Sequence, residues 1–149
     1  MNAFVAAGAG FLTAVLWFDL MFDVQVLGQP QGELPEGVLA SIAAYYARVT
    51  TAASPMSRLI AAVMLATIAM VLAEIATGEV RTWVAWGSLA LVLAPVALAG
   101  ARTVPSAVRL GTRRDDPAQQ SALARSILHD HLMCIAAITA LLVLQLAFG

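Results

Sequence analysis

The chain has 149 residues, of which 61% are hydrophobic and 11% are charged, and its formal net charge is −1. A chain with this few charged residues cannot form a polar surface. The composition therefore excludes a soluble globular domain and predicts an integral membrane protein. The sequence contains no lysine. Without a basic surface to neutralise phosphates, nucleic acid is excluded as a partner.

Four apolar stretches cover residues 3–27, 56–77, 83–101 and 127–148. Each reaches the roughly 17–25 residues that a helix needs to cross the core of a bilayer. We therefore predict an all-α fold, an integral membrane four-helix bundle that forms a single transmembrane domain over residues 1–149. The lipid bilayer is the partner that this composition implies.

The first span contains two aspartates, Asp19 and Asp23, one helical turn apart. An ionised aspartate near the middle of a membrane helix costs roughly 2.5–3.5 kcal/mol, so each needs a partner, a proton, a metal ion or water. Residues four apart share one face of a helix, so both carboxylates are expected to face the same neighbours. Ionisable residues in such positions mark a functional site by default, which makes both aspartates catalytic candidates.

The connection after the first span is longer than a bundle turn needs. Pro35 opens a helical pattern there, which predicts a short amphipathic helix over about residues 35–50. Its adjacent tyrosines, Tyr45 and Tyr46, suit the membrane interface, where one end of the ring is wet. The helix is interpreted as lying in the headgroup layer or capping the bundle, and a lid over a site is the sharper alternative.

Seven of the eight arginines lie in or beside the first and third connections, and only Arg81 lies in the second. The positive-inside rule therefore predicts a multi-pass protein of a bacterial-type inner membrane, with connections 1 and 3 cytoplasmic and both termini outside. Glu74, towards the outer end of the second span, is interpreted as an interfacial carboxylate near Glu79 and Arg81.

The fourth span follows a cap signal, Asp116-Pro117, which predicts a helix that starts in water and enters the membrane near residue 127. This helix carries His129, Asp130 and His131, and the two histidines are further catalytic candidates. With a rise of about 1.5 Å per residue, these three side chains lie at nearly the same depth as the two aspartates of the first span. His129 and His131 point roughly 200° apart, so at most one of them can face those aspartates, and the two cannot chelate one metal ion.

Four further residues are candidates for ligand binding or ion pairing: Arg102, Arg125, Asp130 and Cys134. The two arginines are predicted to lie about one turn further out, within reach of long side chains. Asp130 and Cys134 share one side of the fourth helix because they are four residues apart.

Two interpretations of this polar layer are open. In the structural one, Asp19 and Asp23 pair with Arg102, Arg125 or a neutral histidine and fix which helices are neighbours. In the functional one, two carboxylates and a histidine bind a divalent cation or share a proton as acid and base. Without a metal-binding motif the sequence supports no firm metal site, and it identifies no cofactor.

The order of these features resembles the anthrone-oxygenase-like family of small bacterial and fungal four-span membrane proteins. The resemblance rests on the long first span, the tyrosine-containing interfacial helix, a second span after Pro55, and short motifs. These motifs are Arg102-Thr103, Arg109-Leu110, Ala124-Arg125 and His131. The resemblance covers most of the chain in layout and only short motifs in sequence, and it implies a four-span fold.

Three functions follow as hypotheses. The first is a small oxygenase-like enzyme, or a binder of an apolar ligand, in which Asp19 and Asp23 act as base or ligand and His131 is their acid–base partner. The second is a non-catalytic accessory or assembly subunit whose intramembrane charges are structural ion pairs. The third is a dimeric proton-coupled transporter. A homo-oligomer or a larger membrane complex is compatible with each, and the sequence names no substrate.

Overall fold

The computed structural model describes residues 1–52 and 54–149, and within these ranges the chain forms helices and no β-strand. The helices are α1 (Asn2–Asp23), α2 (Glu36–Ala47), α3 (Ser54–Thr77), α4 (Thr82–Leu98), α5 (Val104–Thr112) and α6 (Pro117–Phe148). A 3₁₀ turn follows α1 at Val24–Val26, and π-helical turns lie at Arg48–Ala52 and Ala99–Thr103. The predicted all-α fold is confirmed.

Four stretches of the described residues are long and apolar enough to cross a membrane: Asn2–Val26, Pro55–Thr77, Thr82–Thr112 and Pro117–Phe148. Large apolar side chains are exposed along them, including Phe4, Trp17, Leu65 and Leu146. Water does not stabilise so much exposed apolar surface, whereas lipid does. The chain is a multi-pass membrane protein.

The third helical stretch is longer than the predicted span. It does not end at residue 101 but continues through the π-helical turn Ala99–Thr103 into α5. Polar residues end an apolar stretch without ending the helix, because the backbone hydrogen bonds of the helix do not depend on the solvent. The third connection is thereby reduced to residues 113–116.

The start of α6 follows the predicted cap. The Asp116 carboxylate accepts a hydrogen bond from the backbone N–H of Gln119 at 2.8 Å, and Pro117 occupies the first turn. Both features satisfy or remove backbone donors that the first turn would otherwise leave unpaired. The helix therefore begins well before its apolar section.

The spanning helices pack as a bundle in which α1 lies against α3 and α6, and α4 also lies against α3 and α6. Their shared core consists of Val5, Ala9, Leu12, Val71, Val92, Ile138 and Leu141. In lipid, apolar burial does not by itself drive helices together, so close packing and polar contacts carry more of the stability.

Helix α2 covers one end of this bundle, which we call the capped end, and packs against α5. Leu39, Ile42 and Leu110 are among the buried residues of this contact. The two helices approach closely at Gly111, where an added Cβ would lie 2.8 Å from the backbone nitrogen of Ala47. The predicted placement in which this helix caps the bundle is therefore seen in the structure.

The opposite end of the bundle, which we call the open end, contains both chain termini and the α3–α4 turn. The amino group of Met1 lies 3.2 Å from Glu79, and the ring of Trp83 packs edge-on against Phe148 at 5.3 Å between centroids. The first and third connections therefore share the capped end, and the second connection lies at the open end.

Candidate functional site

Three helices bring five polar side chains together beneath the cap: Asp19 and Asp23 from α1, Tyr45 and Tyr46 from α2, and His131 from α6. We call this group the Asp–Tyr–His site. The two aspartates share a helix face, whereas the adjacent tyrosines diverge by about 100° around α2. Each tyrosine therefore reaches a different aspartate.

Asp23 is the innermost member of the site and has no exposed surface. The hydroxyl of Tyr46 donates a hydrogen bond to its Oδ1 at 2.6 Å, and Nδ1 of His131 lies 2.6 Å from its Oδ2. An ionised carboxylate only accepts hydrogen bonds, so Nδ1 carries a proton when Asp23 is ionised. The carboxylate thus fixes both the orientation of the imidazole and the nitrogen that donates.

Asp19 lies nearer the surface, with 16% of its side chain exposed. Its Oδ1 accepts a hydrogen bond from the hydroxyl of Tyr45 at 2.6 Å. Its Oδ2 lies 3.9 Å from Nε2 of His131, which is beyond hydrogen-bond distance. The imidazole therefore lies between two carboxylates, bonded to one and close to the other.

The two tyrosines are neutral hydrogen-bond donors in this arrangement. Burial, followed by the charge of the nearby aspartates, raises the pKa of both phenols above the ordinary tyrosine value. Ring contacts also fix their positions, since Tyr45 stacks on Phe22 with 4.0 Å between centroids and meets Tyr46 edge-on at 5.2 Å. Both hydroxyls can stabilise a carboxylate without giving up their protons.

The structural interpretation named arginines as partners of the aspartates, and this part of it is wrong. Arg102 lies instead 2.8 Å from Oδ1 of Asp130, as an ion pair without the angle of a hydrogen bond. Arg125 donates to the backbone carbonyls of Pro30 and Gly32, at 2.7 and 3.3 Å. Depth along a helix was predicted from the sequence, but the direction around the helix axis was not.

The histidine part of the same interpretation is confirmed, since His131 is the partner of the aspartates. His129 is exposed and does not belong to the site. The expectation that at most one of the two histidines faces the aspartates is therefore correct. Two residues separated by roughly 200° around a helix cannot both face the same neighbour.

Asp130 and Cys134 also lie away from the Asp–Tyr–His site. Asp130 is buried on another side of α6, where the hydroxyl of Thr103 donates to its Oδ2 at 3.1 Å. The Cys134 thiol is buried and lies 3.9 Å from the carbonyl oxygen of Pro95. The single layer predicted from depth is thus two separate clusters, because consecutive residues of a helix point about 100° apart.

Glu74 is not an interfacial carboxylate, because its side chain is completely buried. It accepts a hydrogen bond from Nε2 of Gln145 at 3.0 Å. Sequence position placed it near the end of a span, but the packing of α3 turns its side chain into the bundle. The interpretation as an interfacial group is therefore wrong.

Sequence reasoning did not assign Tyr45, Tyr46 or Thr103 to a site. The available signal was a pair of adjacent tyrosines on a helix predicted to lie at the same end of the bundle as Asp19 and Asp23, whose charges are unfavourable in lipid. Tyrosine was assigned to the wet interface instead, where it is common. A buried carboxylate requires donors, so a search for hydroxyl groups at that depth would have found them.

Within the described residues, no group of three or more histidine, cysteine, aspartate or glutamate side chains is placed to hold a metal ion. What the Asp–Tyr–His site can do with its own atoms is bind and transfer protons. Comparison with known proteins identifies no relative, since no family model, curated protein or solved structure matches the chain.

Proposed function

We propose that the protein is an inner-membrane enzyme or ligand-binding protein whose Asp–Tyr–His site accepts a proton from an apolar ligand. The observation that carries this proposal is the placement of His131. Its Nδ1 lies 2.6 Å from Asp23, while its Nε2 lies 3.9 Å from Asp19 and makes no hydrogen bond with it. An imidazole oriented by a carboxylate through one nitrogen can act as a general base through the other.

The chemistry of the ligand follows from Nε2 of His131, which lies 3.9 Å from Oδ2 of Asp19 and makes no hydrogen bond with it. When Nδ1 carries the proton of a neutral imidazole, Nε2 can only accept a hydrogen bond. We infer that the ligand carries a hydroxyl that donates to Nε2 and whose single proton passes to the histidine. Phe18 and Met21 are exposed apolar side chains on α1, beside Asp19, and they favour entry of the ligand from the lipid.

The arginine distribution supports a cytoplasmic position for the capped end. The first and third connections lie together there, and seven of the eight arginines lie in these connections or in the helices and turns that flank them. By the positive-inside rule we place this end in the cytoplasm of a bacterial-type cell and both termini outside. The ligand would then bind in the cytoplasmic half of the membrane.

The resemblance to the anthrone-oxygenase-like family supports a reaction class for this site. Proton removal from an apolar substrate is the step that His131 and Asp23 would perform. Oxygenation of the substrate would require molecular oxygen as the oxidant, and this part of the proposal rests on the resemblance alone.

A fluorescent phenol tests the proposed base. 2-Naphthol is apolar, carries one acidic hydroxyl group and changes its emission when it loses that proton. With the protein in lipid vesicles we expect saturable naphtholate emission above that of empty vesicles, and we expect His131→Gln to abolish it. His129→Gln is the matched control, because His129 is exposed on the same helix and its substitution should change nothing.

Two results would contradict the proposed base. One is wild-type emission equal to that of empty vesicles. The other is equal emission from wild type and His131→Gln, provided that circular dichroism shows both to be folded.

The accessory-subunit hypothesis is the second candidate, and one observation favours it. Each of the five side chains of the Asp–Tyr–His site makes at least one hydrogen bond of 2.6 Å to another member of the site. Such a buried network stabilises one arrangement of helices. On this hypothesis Asp23→Asn and His131→Gln lower thermal stability while the naphthol assay shows no saturable signal in any variant.

A further inference from the structure

A second buried polar cluster lies in the open-end half of the bundle, where α3, α4 and α6 meet. It consists of Glu74, Ser88 and Gln145, whose exposed fractions are 0%, 0% and 1%. Nε2 of Gln145 donates to Oε2 of Glu74 at 3.0 Å and to Oγ of Ser88 at 2.9 Å. We call this group the Glu74 site, and it does not depend on the proposed function of the Asp–Tyr–His site.

No positive side chain balances Glu74 in the described part of the chain. Its helix packs against α1 and α4, and neither helix has an ionisable side chain within its first 17 residues. The last 14 residues of α6 contribute none. At the open end, Arg81 is exposed, and Glu79 is exposed and paired with the amino group of Met1.

Two buried oxygens of the site, Oε1 of Glu74 and Oε1 of Gln145, have no hydrogen-bond partner among the residues that the structure describes. Removing a carboxylate from water has a large free-energy cost, and a single amide donor does not offset it. A buried carboxylate without a positive neighbour therefore requires a bound cation. Oε1 of Glu74 is the atom that such a cation would contact, and Oε1 of Gln145 can join it when the amide turns its oxygen towards Glu74.

The charge and donor set restrict which cation fits. Glu74 supplies one negative charge and the other two side chains are neutral, so a divalent ion would leave an excess positive charge in the bilayer. Carboxylate, amide and hydroxyl oxygens suit a small hard cation. We propose that Glu74, Gln145 and Ser88 form an intramembrane site that binds one small monovalent cation, H⁺ or Na⁺.

The two cations use the same oxygens differently. A proton converts Glu74 to a neutral acid, whose O–H donates to Gln145 once a half-turn of the amide brings its oxygen inward. A sodium ion leaves Glu74 ionised and binds its carboxylate together with the amide oxygen and the Ser88 hydroxyl. Both states neutralise the buried charge, and the amide orientation distinguishes them from the arrangement without a cation.

Infrared difference spectroscopy on the protein in lipid vesicles separates these states. In sodium-free buffer at neutral pH, the wild-type minus Glu74→Gln spectrum should contain the carbonyl band of a protonated carboxylic acid if H⁺ is bound. If Na⁺ is the preferred cation, adding sodium should replace this band by carboxylate bands. Glu79→Gln is the matched control, because Glu79 is exposed and should give carboxylate bands that sodium does not change.

Carboxylate bands from Glu74 at neutral pH without sodium would overturn the proposal, since the buried group would then be charged with no cation. The same readout is available without any substitution. Glutamate isotopically labelled at its side-chain carboxyl group reports on only four residues of the chain. Glu33, Glu36 and Glu79 are exposed, so the band of a buried carboxyl group belongs to Glu74. Gln145→Leu should shift the carbonyl band of protonated Glu74 and abolish any sodium response. An unchanged spectrum would show that Gln145 does not contribute to the site.

Discussion

Replacing Tyr46 by phenylalanine should lower the free energy of unfolding by about 2–3 kcal/mol, because it removes a hydrogen bond to a buried charged group. The substitution deletes one oxygen and keeps the ring. Asp23, which accepts this bond at 2.6 Å, has no exposed surface. Water therefore cannot replace the lost donor, and Oδ1 of Asp23 is left unpaired.

The neighbouring residue provides a matched control. Tyr45 donates to Asp19 at the same distance of 2.6 Å, but 16% of the Asp19 side chain is exposed. Water can replace a donor at a partly exposed carboxylate, so Tyr45→Phe should cost only about 1 kcal/mol or less. The two variants lose the same hydroxyl group, so the difference between them measures the effect of burial.

Equilibrium unfolding of the detergent-solubilised protein with sodium dodecyl sulfate, followed by circular dichroism, measures both free energies. A double-mutant cycle with Asp23→Asn isolates the contact of Tyr46 with the carboxylate. A loss for Tyr45→Phe as large as that for Tyr46→Phe would refute the argument from burial. A coupling energy below about 0.5 kcal/mol between Tyr46 and Asp23 would show that the hydrogen bond contributes little.

Two further predictions concern pH and the second ion pair. The pKa of both tyrosines is raised in the folded protein, so above about pH 10 the folded state holds more protons than the unfolded state. The stabilisation from the neutral phenols is complete below that pH and is lost as pH rises, so tyrosinate absorbance should appear only together with loss of helix. Separately, Arg102→Gln leaves the buried Asp130 carboxylate with Thr103 as its one donor among the described residues. This should lower the free energy of unfolding by about 1–3 kcal/mol in the same detergent titration.

Controls for both are available in the chain. Tyrosinate absorbance that rises near pH 10 while the helical signal is intact would contradict the first prediction. For the second, Arg109→Gln should leave stability unchanged, because Arg109 pairs with Asp115 at the exposed surface. The loss caused by Arg102→Gln should shrink when Asp130→Asn removes the charge that the arginine balances, and an equal loss in both backgrounds would contradict the ion-pair explanation.

Composition and helix periodicity were enough to predict the membrane class, the all-α fold, the capped start of α6 and the need of Asp19 and Asp23 for polar partners. These features depend on local properties of the chain: the length of an apolar stretch, the residue at a helix start and the cost of a charge in lipid. The spacing of His129 and His131 also excluded one of them as a partner of Asp19 and Asp23, because the spacing fixes the angle between the two side chains around the helix.

The partners of these residues were decided only by the tertiary structure. Sequence gives the depth of a residue along its helix, but the rotation of each helix about its axis depends on how it packs against the others. That rotation pairs Arg102 with Asp130 instead of Asp23, and it turns Glu74 into the bundle towards Gln145. The fold of the first connection over the bundle then brings Tyr45 and Tyr46 down onto the aspartates, because buried carboxylates require donors that α1 itself does not supply.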